Sequence, residues 1–134
     1  MKAVIDTRFL IHSMASQDDQ FERWAKLMLE TLQNQGNLGT VPSIVILEFY
    51  KFELENLGKE IAESRVNSLL KLDLKIRNLD IPIAIEAAKL RCKYAELPTA
   101  DAIIAATAIA MGCDYVLTDD RHIKQIKETK TKWI

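Results

Sequence analysis

Residues Leu97–His122, LPTADAIIAATAIAMGCDYVLTDDRH, decide how this chain folds. Pro98-Thr99 is a helix-start signal, with Thr99 placed to cap and Asp101 in the first turn. From Ala100 to Met111 the residues are Ala and Ile almost throughout. A helix that is apolar on every side is buried all round. Gly112 ends it, as a residue able to take the left-handed conformation does. Tyr115-Val116-Leu117-Thr118 is short, apolar and partly β-branched, which predicts a buried strand, and Asp119-Asp120 close it. A packed helix therefore begins with an acid, and the next strand finishes with two. Each acid also has an ordinary role. A first-turn Asp gains under about 1 kcal/mol from the helix dipole, and Asp-Asp after a strand makes a turn.

With 134 residues the chain is expected to form a single domain, 1–134. Hydrophobic residues make up 49% and charged ones 28%, the balance of a folded globular protein rather than a disordered one. The net charge of −1 advertises no polyanion partner, so any contact with nucleic acid must come through a local patch or metal ions. No apolar run is long enough to span a bilayer, and Lys2-Ala3-Val4-Ile5 reads as a strand rather than a targeting signal. The expectation is a cytoplasmic protein with no membrane contact. Cys92 and Cys113 lack metal-binding spacing and are expected to be reduced, mostly buried thiols.

Working outward, Lys2–Ile5 is a strand with Asp6 at its carboxyl end, followed by a helix from Thr7. Asp18-Asp19 opens a longer helix whose Phe21, Trp24, Leu27, Met28 and Leu32 recur at helical spacing. That stripe suits core or a protein interface. Leu38–Val41 is a second strand, and Pro42-Ser43 starts a helix running to Gly58. Glu48 interrupts its apolar run in the second turn, where a side chain leaning toward the helix start reaches the preceding strand end. Glu53 and Glu55, further along, are expected in solvent. A polar helix over 60–70, a strand over 73–77 and a helix over 83–95 follow. After the deciding stretch, 122–127 is expected to be a short helix and Trp133-Ile134 an edge strand.

The order β-α-α-β-α-α-β-α-α-β-α-β predicts an α/β protein with a short, mostly parallel sheet flanked by helices. Sites in such folds lie at the carboxyl ends of the strands. Asp6 follows the first strand and Asp119-Asp120 the fourth, which places these acids in one crevice. Sequence order alone does not bring Asp101 there. Converging carboxylates repel and are driven toward protonation. A hard divalent cation relieves that conflict, and Asp and Glu without His or Cys suit Mg²⁺ or Mn²⁺ rather than Zn²⁺.

VIDTRFLI at the start, the Pro-Ser-x4-Glu segment ending at Glu48, LPTADAIIAATA and YVLTDDRHI resemble the PIN-domain family of metal-dependent ribonucleases. The length and motif order are most similar to its VapC-type toxins. The resemblance covers almost the whole chain and implies the three-layer PIN-like fold. It also implies Asp6, Glu48, Asp101 and Asp120 as the catalytic and metal-binding acids, Mg²⁺ as cofactor with Mn²⁺ as substitute, and RNA cleavage by a metal-activated water. Asp120 is preferred to Asp119 because the last family motif is Thr-x-Asp; adjacent side chains in an extended segment point opposite ways, which leaves Asp119 as the candidate cap of the next short helix. Thr7, and Thr118 likewise, is implied as a supporting hydroxyl. A homodimer and a small antitoxin protein are the implied partners. One departure is Arg8, where the family usually carries Asn; an Arg here pairs with an acid or with a phosphate.

Two other readings remain. A PIN fold with weakened chemistry would act by holding RNA or protein, and Arg8 is its main support. A Mg²⁺-binding phospho-receiver also gathers acids at strand ends, but it wants an acidic pair after its first strand and a Lys after its last. Asp6 stands alone, and no such Lys is placed.

Overall fold

Ala3, Val4 and Ile5 have no exposed surface because β1 (Lys2–Ile5) is the central strand of the sheet. Each fully buried Val or Ile contributes roughly 1.5–3 kcal/mol relative to exposure. The computed structural model describes residues 1–15 and 18–134. After β1 come α1 (Thr7–Ser13), α2 (Gln20–Leu32), β2 (Leu38–Pro42), α3 (Ser43–Leu57), α4 (Lys59–Leu70) and β3 (Lys75–Arg77). The second half holds α5 (Ile81–Lys93), α6 (Thr99–Ala110), β4 (Tyr115–Leu117), α7 (Arg121–Lys124) and β5 (Thr131–Lys132). This is the expected element order.

All neighbouring strands pair parallel, in the order β3-β2-β1-β4-β5. The chain winds from β1 to β3 in one direction, then crosses back to β4 and β5. Right-handed crossovers place α1–α4 on one face and α5 on the other. Two buried clusters fit that division. One gathers Phe9, Leu29, Leu32, Val45, Phe49 and Leu69. The other gathers Ile83, Leu90, Leu97, Ile103 and Ile126.

The Ala/Ile helix α6 contributes to both, Ile104 and Ala108 to the first and Ala102, Ile103, Ala105 and Ala106 to the second. Its all-round apolarity thus follows from its place between two cores. Gly112, at φ +61°, supplies the left-handed turn into β4.

Several local expectations differ. Pro98 holds the cap position of α6 without a side-chain bond, and Thr99 lies exposed in the first turn. β5 is Thr131–Lys132; Trp133 instead stacks on Phe21 at 4.4 Å and lies edge-on to Phe9 and Trp24. Phe21, Trp24 and Met28 are partly buried against the core, one of the two places expected for that stripe. The short helix after β4 spans Arg121–Lys124 rather than 122–127. Both cysteines are free, and Cys92 is exposed because the buried face of α5 is Ile83, Ala87 and Leu90.

Glu53 is the largest correction. It has no exposed surface and pairs through Oε1 with Arg65 Nη1 of α4 at 3.1 Å. Val45, Phe49 and Glu53 fall four residues apart on the buried face of α3, so helical phase carries Glu53 inward with its neighbours.

Candidate active site

The sheet's register builds the site. Ile5 of β1 lies level with Leu117 of β4, so Asp6 and Thr118 emerge side by side at the carboxyl edge. This is the point where the strand order reverses, the expected ligand position in open parallel sheets. Thr118 Oγ1 donates to Asp6 Oδ2 at 2.5 Å, and the Thr7 backbone N–H donates to Asp6 Oδ1 at 2.7 Å. Asp6 is buried and fixed through both oxygens.

Glu48 arrives from the second turn of α3. Thr7 Oγ1 donates to its Oε1 at 2.7 Å, which ties α3 to the start of α1. Asp101 reaches the same edge because α6 runs antiparallel to β4, into which it leads. The end of α6 lies near the start of β4, so its first turn lies near β4's finish. That geometry is invisible in sequence order.

Asp120 N-caps α7, its Oδ1 accepting from the His122 N–H at 2.8 Å, and its own N–H donates to Thr118 Oγ1 at 3.0 Å. The expectation that Asp119 would be the cap is thus reversed. Asp119 faces Arg8 instead, with Arg8 Nη1 at 2.8 Å from Oδ2 and 3.0 Å from Oδ1. His122 contributes its backbone N–H to the Asp120 cap.

The four acids act on one another. Burial pushes the Asp101 carboxyl up from 3.8 to about 7, and the charges of Asp120, Asp6 and Glu48 add to the rise. Asp6 is raised to about 6, again mainly by burial, with Asp120 and Glu48 adding, although the bonds from Thr118 and Thr7 oppose the rise. Near neutral pH this crevice therefore holds more negative charge than it tolerates unaided. Among the described residues, no group of three or more His, Cys, Asp or Glu side chains is arranged to hold a metal ion. Mg²⁺ does not need a full protein cage, since it keeps several waters and is held by one or two carboxylates together with substrate phosphate. The donor set fits such an ion: hard oxygen ligands, excess negative charge and supporting hydroxyls.

A recess of about 260 Å³ beside the acids is lined by Thr7, Ile11, Glu48, Lys51, Phe52 and Glu55. A roomier cavity, about 640 Å³, opens at the opposite edge of the sheet among Met1, Cys113, Asp114, Tyr115, Lys127–Lys130 and Lys132. None of the four acids lines it, whereas Glu48 lines the smaller recess.

The PIN domain family model matches residues 3–129. The chain belongs to the PIN domain family. Solved structures agree on the fold. VapBC2 from Rickettsia felis, bound to a promoter DNA fragment, matches this PIN domain with TM-score 0.81 at 20% identity, covering 100% of each chain. A toxin–antitoxin complex from Klebsiella pneumoniae matches at 25% identity with TM-score 0.72, over 95% of this chain and 94% of that one. VapC20 from Mycobacterium tuberculosis, a sarcin–ricin loop cleaving toxin, matches at 14% identity with TM-score 0.75, over 92% and 93%. No curated protein matches the sequence significantly. Among the described residues, no helix is long and apolar enough to cross a membrane.

Proposed function

We propose that this PIN domain is a divalent-metal-dependent endoribonuclease and the toxin of a toxin–antitoxin pair. The observation that carries the reading is the electrostatic conflict at the site: four acids act on one another in one crevice, and two of them are pushed close to neutral pH. Asp6, Glu48, Asp101 and Asp120 would hold Mg²⁺, or Mn²⁺ in its place. When bound, the ion lowers the pKa of a coordinated water and offsets charge on the phosphodiester under attack. Thr118 fixes Asp6 and Thr7 fixes Glu48, so two ligands are oriented before substrate arrives. Arg8 does not favour the weakened-chemistry alternative, because its guanidinium is engaged by Asp119.

Exposed apolar residues support two protein partners. Leu47, Phe52, Leu54 and Leu57 of α3 with Ile61 of α4 form one set, and Phe52 also lines the recess at the site. A small antitoxin seated there would reach the acids. Leu79, Ile81 and Ile85 at α5 form the second set, which suits a homodimer contact. Light scattering of wild type and Ile81→Arg tests the dimer.

Cleavage is tested with tRNA and with a sarcin–ricin loop oligonucleotide, the target in the name of the M. tuberculosis relative. Mn²⁺-dependent cleavage, abolished by EDTA and by Asp6→Asn, is the expected result. Cleavage that persists undiminished in EDTA would overturn the metal assignment.

A further inference from the structure

We infer that Arg8, Asp119 and Trp133 form a latch across the crevice that positions Asp120, making the C-terminal segment part of the site. The inference rests on the metal-dependent reading above. Arg8 is the second residue after Asp6, in the first turn of α1, whereas Asp119 directly precedes Asp120. Their ion pair joins positions 111 residues apart, and it joins the start of α1 to the turn leaving β4. A single nitrogen, Nη1, reaches both Asp119 oxygens, which holds that carboxylate on Arg8.

The guanidinium carbon also lies 5.7 Å from the centre of the Trp133 ring, within cation–π range. Trp133 is itself held by Phe21 at 4.4 Å and by Phe9 and Trp24 edge-on. Arg8 thus meets both an aromatic cluster and an acid, although its side chain is 60% exposed.

The consequence follows from chain connectivity. With Asp119 held outward, the backbone presents Asp120 to Thr118 and to the start of α7. Without either partner of the ion pair, the turn leaving β4 is no longer anchored, and Asp120 samples orientations away from the crevice. An isolated surface ion pair contributes little; here its effect is on how Asp120 faces the site rather than on whether the chain folds. Arg8 is a positioning residue in this account.

The test uses the full chain and a thermodynamic cycle on Arg8→Ala and Asp119→Ala, read by Mn²⁺ half-saturation of the thermal shift. Each single variant should weaken Mn²⁺ by about three- to tenfold, the range set by an ion pair and a cation–π contact together. The double variant should be no weaker than the worse single one, as expected for partners in one interaction. Arg8→Lys should recover part of the affinity. Trp133→Ala should lose part of it, and cleavage deficits should close as Mn²⁺ is raised.

Additive losses in the cycle, or Mn²⁺ affinity unmoved in Arg8→Ala while the wild type responds, would overturn the latch alone. RNA binding that weakens in Arg8→Ala with a salt slope reduced by about one, and Mn²⁺ affinity unmoved, would make Arg8 a phosphate contact instead. A wild type with no Mn²⁺ response would overturn the metal reading and the latch with it.

Discussion

Replacing Asp101 by Asn should stabilise the metal-free protein at pH 8 and change it little at pH 4. In the fold the Asp101 carboxyl is lifted from 3.8 to about 7, first by burial and then by Asp120, Asp6 and Glu48. A carboxyl raised in the folded state binds more protons there than in the unfolded chain. Stability is therefore highest below the ordinary pKa and falls as pH rises from about 4 through about 7. The whole gap corresponds to about 4 kcal/mol at 1.36 kcal/mol per tenfold. Asp101 is only half-buried, so solvent screening reduces the realised cost to about 1–2 kcal/mol. Asn keeps the size, removes the charge and should regain that amount at pH 8, a rise in melting temperature of about 3–8 °C.

Circular-dichroism melts in EDTA at pH 4, 6 and 8 measure it directly. Saturating Mn²⁺ should reverse the effect, raising the wild type by more than the Asn variant, since a ligand stabilises only the state that binds it. An Asn variant no more stable than wild type at pH 8 in EDTA would refute the reasoning. So would a difference of equal size at pH 4, because charge could not then be its source.

At saturating Mn²⁺, Asp120→Asn should lower single-turnover RNA cleavage by at least about tenfold, whereas Asp119→Asn stays within about threefold of wild type. Inactivity confined to Asp119→Asn would move the fourth ligand by one residue. Arg65→Ala should destabilise by about 3 kcal/mol in urea melts, because it strands the buried Glu53 carboxylate without its cation. Gly39→Ala places a Cβ 2.7 Å from Leu74 Cδ2 and 3.1 Å from Leu32 Cβ, and should cost about 1–3 kcal/mol in the same melts. His122→Ala should cleave within about tenfold of wild type, since the group that caps Asp120 is the backbone N–H, which Ala retains.

Element order and sheet type are legible in the sequence because they are written locally. The apolar runs of β1 and β4, the cap at Asp19 and the stop at Gly112 each act within a few residues. Asp6 is legible for the same reason: a strand end in a parallel sheet is a site position whatever the strand's neighbours. Glu53 is a case where the local signal exists but polarity conceals it. Its spacing from Val45 and Phe49 marks it as inward-facing, while its charge suggests solvent, and the buried partner that reconciles the two lies on the next helix at Arg65. Asp101 needs one further fact, that α6 runs antiparallel to β4, which follows once the helix is packed on the sheet.

The two adjacent acids show where local reasoning stops. Alternation along a strand states that Asp119 and Asp120 face opposite ways, but it cannot say which faces the crevice. The sequence pattern Thr-x-Asp selects Asp120, and strand logic then makes Asp119 the helix cap. In the fold the chain has already left β4 at Leu117, so alternation no longer governs these two positions. Asp120 takes the cap with one oxygen and receives no other hydrogen bond from the described residues at its second, which leaves Oδ2 free to face the crevice. Asp119 goes to Arg8, a residue that in sequence stands beside the first acid and looks like a defect in the motif. The cap and the proposed metal-binding role are thus compatible in one carboxylate, because they would use different oxygens. The departure at Arg8 becomes intelligible only when both strand ends are seen together.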